Sequence, residues 1–169
     1  MAKAHEGRYG TWYSDDGTGW YKAHQQSNVL YIYRYLSDPS NSKHPTNSKY
    51  DFTWTLNAIA GLCGNIEYEC HFRPGLQEVG GSGYGLIQWT SGMIHKNWCQ
   101  DVGAIYGIGK DDYANIEASL AHIVHEVHQD IQGIKDDGTK DDTRNYGSRW
   151  SFRDEYKLSY KGFAESKKP

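Results

Sequence analysis

The spacing of apolar residues along the chain predicts three long helices. In each of them, apolar side chains recur at intervals of three and four residues, which places them on one face of a helix. The predicted helices cover about residues 23–36, 53–70 and 112–131. Their apolar faces, in that order, consist of Val29, Ile32, Tyr33 and Leu36, then Leu56, Ile59, Ala60, Cys63 and Ile66, then Ile116, Leu120, Ile123, Val124, Val127 and Ile131.

Polar and glycine-rich segments separate these helices. Residues 37–50 are almost entirely polar and predict a loop, and Pro74-Gly75 ends the second helix. Residues 75–90 combine glycines with scattered apolar residues, which predicts a small hairpin or glycine-rich loop that leads into another helix. The expected fold is therefore mainly α, in the α+β class, with a small glycine-rich β element.

The length of 169 residues fits one compact domain. Residues 1–22 are rich in Gly, Tyr and Asp and predict an irregular leader. Residues 23–169 predict one folded domain, which continues through a turn-rich loop at 136–149 to a short helix at 152–163. The last residues give no clear end to the fold, so a segment of a longer protein is one expectation.

Composition narrows the classes of protein. Aromatic residues make up 14% of the chain although its mean hydropathy is −0.81, and this much Trp and Tyr argues against disorder. No apolar run reaches the roughly 18 residues of a membrane span. The net charge of −3 argues against a nucleic-acid partner. No apolar stretch follows the first residues, so we expect no secretory signal and synthesis in a cytoplasm.

Cysteines and histidines predict neither a disulfide framework nor a metal site. The three cysteines are an odd number, and Cys63 and Cys70 would lie about 10 Å apart on one helix, beyond disulfide reach. The order of His122, His125 and His128 around a glutamate differs from the zinc motif His-Glu-x-x-His. We expect reduced thiols, a solvated polar face of histidines and no cofactor.

Glu69 is the candidate catalytic acid. It lies at the C-terminal end of the second predicted helix, where partial burial and the negative end of the helix dipole both favour the neutral carboxyl. A raised pKa suits a general acid that protonates a glycosidic oxygen. Downstream, Gly83 and Gly85 would let a saccharide approach the backbone, and Gln88 offers both a hydrogen-bond donor and an acceptor.

Two motifs in this region resemble those of known enzymes. Residues 69–74, ECHFRP, resemble the E-S-x-F-x-P motif of goose-type lysozymes and soluble lytic transglycosylases. Residues 85–88, GLIQ, resemble their G-L-M-Q motif. The wider stretch over about residues 55–90 resembles the phage tail lysozyme family. This resemblance implies a lysozyme-like fold over residues 23–169, in which a helical lobe and a small β lobe flank a cleft.

The resemblance also implies cleavage of the β-1,4 bond between N-acetylmuramic acid and N-acetylglucosamine in bacterial peptidoglycan, with Glu69 as the general acid. For Trp89 and Phe72, core packing is the alternative to a place in the cleft. The substrate-binding residues that the resemblance implies are Gln88, Tyr84, Trp89, Gly85 and Phe72.

The sequence leaves several alternatives open. Glu67 is an alternative acid, and Glu78 is a candidate second carboxylate, although a solvated loop carboxylate is the other interpretation. Hydrolase and lytic transglycosylase are not separated, since a transglycosylase needs only one acid/base residue. Cys70 replaces the serine of the family motif, and a thiol makes a weaker hydrogen bond than a hydroxyl. We do not expect Cys70 to act as a nucleophile, because no activating group is placed by the motif.

The expected partners follow from the resemblance. They are the glycan strand of bacterial peptidoglycan and other phage tail proteins, with neither nucleic acid nor membrane. The expected location is the virion, from which the protein would act on the host cell wall. The rival hypothesis is a glycan-binding or structural tail domain that kept the fold and lost activity.

Overall fold

The computed structural model describes residues 2–15, 19–90 and 93–132. The predicted loop at 136–149 and the predicted helix at 152–163 lie outside the described residues. Within the described part, the chain forms four α-helices, three short 3₁₀ helices and one two-stranded antiparallel sheet. The predicted mainly helical, α+β fold is confirmed.

The elements follow the order β1, β2, α1, α2, α3 and α4. The strands β1 and β2 span Lys3–Gly7 and Gly10–Ser14, and the helices α1 to α4 span Lys22–Ser37, Leu56–Cys70, Met93–Asp101 and Ile116–Gln132. The 3₁₀ helices span Pro39–Ser42, Ser48–Tyr50 and Gly103–Tyr106. The three long predicted helices correspond to α1, α2 and α4, and α3 is the helix expected after the glycine-rich segment.

The sheet lies in the segment that was expected to be irregular. Strands β1 and β2 pair in the register Lys3↔Ser14 and His5↔Trp12, and the Trp12 ring stacks on the His5 ring at 4.1 Å. Trp12 is 6% exposed and belongs to the main core. The expectation of an irregular leader is therefore wrong for these residues. Their strands carry Lys, His, Glu and Thr where an apolar alternation would have indicated a strand.

Helix α1 packs against the core with a face slightly rotated from the predicted one. Its buried residues include Tyr31, Ile32, Tyr35 and Leu36, whereas Tyr33 is 43% exposed. The prediction that Tyr33 belongs to the core face is wrong, because Tyr31 and Tyr35 take the inward positions beside the two aliphatic residues. Spacing alone could not distinguish these tyrosines.

Helix α2 begins at a capped terminus and crosses the core. The Thr55 side chain accepts a hydrogen bond from the backbone N–H of Ala58, which satisfies one free donor of the first turn. The inward face includes Ile59, Leu62 and Ile66, while Leu56 is 65% exposed although the pattern assigned it to this face. Leu56 lies in the first turn and lines an open groove between α1 and α2.

Helix α4 is buried on both its apolar and its histidine-bearing sides. The residues His122, Glu126 and His128 are at most 7% exposed, so the predicted solvated face is wrong. Helix α3 covers His122 with aromatic rings, and residues of two 3₁₀ helices and of the segment before α2 cover His128. His95 of α3 lies within 2.9 Å of His122, Nδ1 to Nδ1, and Trp98 stacks on His122 at 4.5 Å. Neutral imidazoles act here as flat aromatic surfaces.

Two further properties concern ions and membranes. Among the described residues, no group of His, Cys, Asp and Glu side chains is arranged to hold a metal ion. Within that same part of the chain, no helix is both long enough and apolar enough to span a bilayer. Cys63, Cys70 and Cys99 are free thiols.

Candidate active site

Glu69 occupies the last turn of α2 at the edge of the core. It is half-buried, whereas Glu67 is exposed and the neighbouring Tyr68 is 87% exposed. Burial, and after it the negative charge of Glu78, raises the pKa of the Glu69 carboxyl. The alternative acid, Glu67, therefore lies in a more solvated position than Glu69 on the same helix.

A strained turn follows Glu69. His71 and Phe72 both adopt left-handed backbone conformations, with φ of 49° and 62°. Neither residue is a glycine, and such conformations cost on the order of 1–3 kcal/mol each. The backbone N–H of Arg73 donates to the carbonyl of Cys70 at 3.1 Å and closes the turn. The chain thus reverses directly after the candidate acid and returns toward the end of α2.

The glycine-rich motif forms a tight turn over residues 84–89. Tyr84 and Trp89 exchange backbone hydrogen bonds, at 3.2 and 2.9 Å, around this turn. Gly85 has φ of 81°, and a Cβ there would lie 3.0 Å from the Trp89 ring, so this position requires glycine. Gln88 also has a positive φ of 51° without being a glycine.

The Gln88 side chain stabilises this turn. Its amide nitrogen donates to the carbonyl of Gly85 at 2.8 Å and to that of Leu76 at 3.2 Å. Its oxygen lies where a Cβ on Gly83 would come within 2.8 Å, so glycine at 83 makes room for it. The role of Gln88 in saccharide binding stays a prediction. Any contact with a sugar would use the same amide group that holds the turn through its hydrogen bonds.

Cys70 connects the two motifs. It is 1% exposed, and its thiol donates to the carbonyls of Leu86 at 3.2 Å and Ile66 at 3.4 Å. Burial raises the pKa of Cys70 to about 12, so the group is a protonated donor rather than a thiolate. The hydrogen bond from Cys70 to Leu86 therefore joins α2, the helix that carries Glu69, to the glycine-rich turn. A hydroxyl at this position would be a stronger donor than the thiol.

Glu78 closes its own loop. Its carboxylate accepts a hydrogen bond from the backbone N–H of Gly83 at 2.9 Å, and its own N–H donates to the Gly83 carbonyl at 2.8 Å. A Cβ on Gly81 would lie 2.0 Å from this carboxylate, which explains the glycine. Glu78 thus has a structural role, and its charge also reaches Glu69.

The predicted cleft aromatics lie mostly inside the protein. Tyr84, Trp89 and Phe72 are 5%, 2% and 5% exposed. The Trp89 ring lies flat against His95 at 4.5 Å, and its indole N–H donates to Glu126 at 3.1 Å. This placement makes core packing, rather than an open face for a sugar ring, the role of Trp89 in this structure.

The sequence did not indicate which buried residues pack against Trp89 and so support the glycine-rich turn. Glu126 is 7% exposed, burial raises its pKa to about 7, and its second oxygen has no hydrogen-bond partner. His95 and His122 stack beneath Trp89. The one indication in the sequence was the four-residue spacing of His122 and Glu126, which places both on the same face of a helix. Only the position of α3 shows that this face is covered.

The mainly helical α+β fold with one small antiparallel hairpin agrees with a lysozyme-like domain, and Cys70 joins the end of α2 to the glycine-rich turn in it. The chain matches the family model described as phage tail lysozyme over residues 41–165, and it belongs to this family. The predicted resemblance is thereby confirmed.

A relative among phage proteins agrees with this assignment. The chain is 33% identical over 99 residues to Morphogenesis protein 1 of Bacillus phage B103. The match covers 56% of this chain and 25% of that protein, so the chain corresponds to about a quarter of its relative. No solved structure matches the chain.

Proposed function

We propose that this chain cleaves the β-1,4 glycosidic bond between N-acetylmuramic acid and N-acetylglucosamine in bacterial peptidoglycan. Glu69 is the general acid. The observation that carries the proposal is the position of Glu69 in the last turn of α2, half-buried and joined through Cys70 to the glycine-rich turn. Family membership supports the substrate class.

The proposed chemistry begins with the neutral carboxyl of Glu69. Burial and the charge of Glu78 raise its pKa, which increases the protonated fraction near neutral pH. The carboxyl donates its proton to the glycosidic oxygen as the bond to the leaving sugar breaks. Proton transfer of this kind contributes about 10²- to 10⁴-fold in rate. Glu69 then holds a carboxylate that can accept a proton from the attacking nucleophile.

The nucleophile separates two versions of the reaction. In a hydrolase, a water attacks the anomeric carbon, and a second carboxylate assists at a defined distance. In a lytic transglycosylase, the muramic acid's own 6-hydroxyl attacks, and Glu69 alone suffices. Glu78 is the candidate second carboxylate, and one of its two oxygens accepts a hydrogen bond from the Gly83 N–H, which holds the side chain on its own loop. We propose the one-carboxyl reaction, in which Glu78 keeps this structural role, and product analysis tests it.

We further propose that the protein acts from the virion on the host cell wall. The support is the description of the family as phage tail lysozymes and the phage origin of the relative. Other tail proteins would be its partners there.

Product analysis tests the proposed reaction. Purified peptidoglycan is digested with the protein, and the soluble fragments are analysed by mass spectrometry. Fragments with 1,6-anhydro ends identify a transglycosylase, and fragments with reducing muramic acid ends identify a hydrolase. If glycan fragments never exceed those of a buffer control, while the protein still binds the sacculi, the domain is a glycan-binding module and the proposal is wrong.

A further inference from the structure

The turn after Glu69 is strained, and its local hydrogen bonds are backbone bonds to the end of α2, from His71 to Glu67 and from Arg73 to Cys70. His71 and Phe72 are consecutive left-handed residues with side chains that disfavour this conformation. Such conformations persist where surrounding structure fixes them.

The partners of the turn come from the N-terminal part of the chain. The indole N–H of Trp20 donates to the carbonyl of His71 at 3.0 Å. The side-chain amide of Asn28 donates to the carbonyl of Phe72 at 2.9 Å. Each strained residue thus has its carbonyl held by a donor from more than forty positions earlier in the chain.

The third residue of the turn is held by charge. The guanidinium of Arg73 lies 3.2 Å from the carboxylate of Asp15 and 5.6 Å from the centre of the Trp20 ring. The Asp15 side chain is only 10% exposed, so water screens this pair less than a surface pair. Residues 71–73 are therefore held by two hydrogen bonds, one ion pair and one cation–π contact, all from the N-terminal part of the chain.

Asn28 is the central member of this group. It is fully buried, and its amide oxygen accepts from the Tyr13 N–H at 2.7 Å while its nitrogen donates to the carbonyls of Tyr13 and Phe72. One side chain thus joins strand β2 to the turn. Only an amide can both accept and donate in this way, since a carboxylate has no donor.

We infer that Asp15, Trp20 and Asn28, which we call the N-terminal brace, position Glu69 for catalysis. These are positioning residues, and the inference rests on the proposed function of Glu69. All three precede residue 41, where the match to the family model begins. The family segment of this chain therefore depends on residues outside it for the geometry of its acid.

The link from the turn to Glu69 runs through backbone hydrogen bonds. The His71 N–H donates to the carbonyl of Glu67, and the Arg73 N–H donates to that of Cys70, both at 3.1 Å. These bonds fix the last turn of α2 on either side of Glu69. If the turn relaxes, we expect Glu69 to become more solvated and the hydrogen bond from Cys70 to Leu86 to weaken.

Two substitutions test the brace. Trp20→Phe removes the N–H that binds His71 while keeping a ring over Arg73, and Asn28→Asp removes both donors while keeping the acceptor. We expect kcat on peptidoglycan to fall about 3- to 10-fold for Trp20→Phe, the range of one lost hydrogen bond, and further for Asn28→Asp, with little change in KM. The alkaline limb of the kcat profile should move to lower pH, because a more solvated carboxyl loses its proton more easily.

Arg8→Gln is the matched control. It removes an exposed ion pair with Asp38 in the same N-terminal region, without contact to the turn. Its kcat and pH profile should equal those of the wild type. Thermal unfolding of every variant gives the folded fraction at the assay temperature, and rates are compared per folded molecule.

An NMR titration of ¹³C-labelled glutamate carboxyls provides a readout that is independent of activity. The pKa of Glu69 should be lower in Trp20→Phe than in the wild type and unchanged in Arg8→Gln. An unchanged Glu69 pKa together with an unchanged kcat in folded Trp20→Phe would overturn the inference. A wild type without activity but with the expected pKa change would instead refute the proposed function and leave the brace supported.

Discussion

At the scale of single residues, two separate effects favour the neutral form of the Glu69 carboxyl. Burial at the end of α2 is the larger effect, and the charge of Glu78 is the smaller one. Both disfavour the carboxylate, so both raise the pKa. They can be separated experimentally, because the negative charge of Glu78 can be removed while its hydrogen bond with Gly83 is kept.

Replacing Glu78 by Gln should lower the pKa of Glu69. The variant keeps an oxygen for the Gly83 N–H and removes only the negative charge. We expect the alkaline limb of the activity profile to move to lower pH, with little loss at the optimum. Glu67→Gln, which removes an exposed charge two residues from Glu69, is the control for a general change of charge. A profile unaffected by Glu78→Gln, or activity abolished by it, would contradict this account, and abolition would indicate a catalytic Glu78.

The thiol of Cys70 offers a second test at this scale. Cys70→Ser should strengthen the bond to the Leu86 carbonyl and give activity equal to or above that of the wild type, because a hydroxyl is the better donor. Cys70→Ala removes the bond and should lower kcat by roughly 3- to 10-fold, the equivalent of about 1 kcal/mol. The comparison uses initial rates and urea unfolding of both variants. Equal rates in the serine and alanine variants would show that this bond does not support catalysis.

At the scale of elements, helices α3 and α4 carry buried histidines in the neutral form. Burial lowers the pKa of His95 and of His128 to about 4, and both side chains are fully buried. In the unfolded chain the same groups titrate near 6.5. The unfolded state therefore binds more protons between these values, and stability is lost as pH falls from about 6.5 toward 4. Glu126 acts in the opposite direction, since its raised pKa of about 7 costs stability as pH rises.

The protein should therefore be less stable at pH 5 than at pH 7. Each of the two fully buried histidines contributes roughly 1–2 kcal/mol of this difference, which together exceeds the opposing effect of the single Glu126 carboxyl. Urea unfolding at the two pH values measures it. Glu126→Gln removes the opposing effect and should enlarge the difference. A midpoint that is equal or higher at pH 5 would show that these histidines are not held neutral.

The helices and strands also show how much of the fold can be predicted from the sequence. The periodicity of apolar residues located α1, α2 and α4 to within a few residues, because each helix buries one apolar face. The same periodicity could not locate the hairpin, since strand β1 carries Lys3, His5 and Glu6 and is stabilised by pairing with β2. Nor could it find that His122 is buried, because this depends on α3, which is distant in sequence.

In the candidate site, too, local sequence predicts some features, while others depend on contacts between distant residues. Local sequence was sufficient to place Glu69 in the last turn of a buried helix and to predict a glycine-rich turn nearby. Two hydrogen bonds of the site join residues that are far apart in sequence, one from Cys70 to Leu86 and one from Trp20 to His71. Such pairs leave no periodic pattern, so they could be identified only from the structure.

At the scale of the whole molecule, one core joins the N-terminal segment to the family segment. Trp12, Ile32, Ile66 and Val124 belong to a single cluster of buried residues, although the first two precede the family match. Residues before position 41 therefore help to form the interior of the domain, and the N-terminal brace extends this contribution to the turn beside Glu69. We therefore expect the proposed activity to require the residues before position 41 as well as the family segment.

The most direct test of the central claim compares Glu69→Gln with Glu67→Gln. The two substitutions both replace a carboxyl by an amide of the same shape and lie two residues apart on α2, but only Glu69 is half-buried, and Glu67 is exposed. The measurement is the initial rate of muropeptide release from purified peptidoglycan. Loss of the proton donor should reduce the Glu69→Gln rate by about 10²-fold or more, while Glu67→Gln keeps a rate near that of the wild type. A Glu69→Gln protein as active as the wild type, or loss of activity only in Glu67→Gln, would contradict the account.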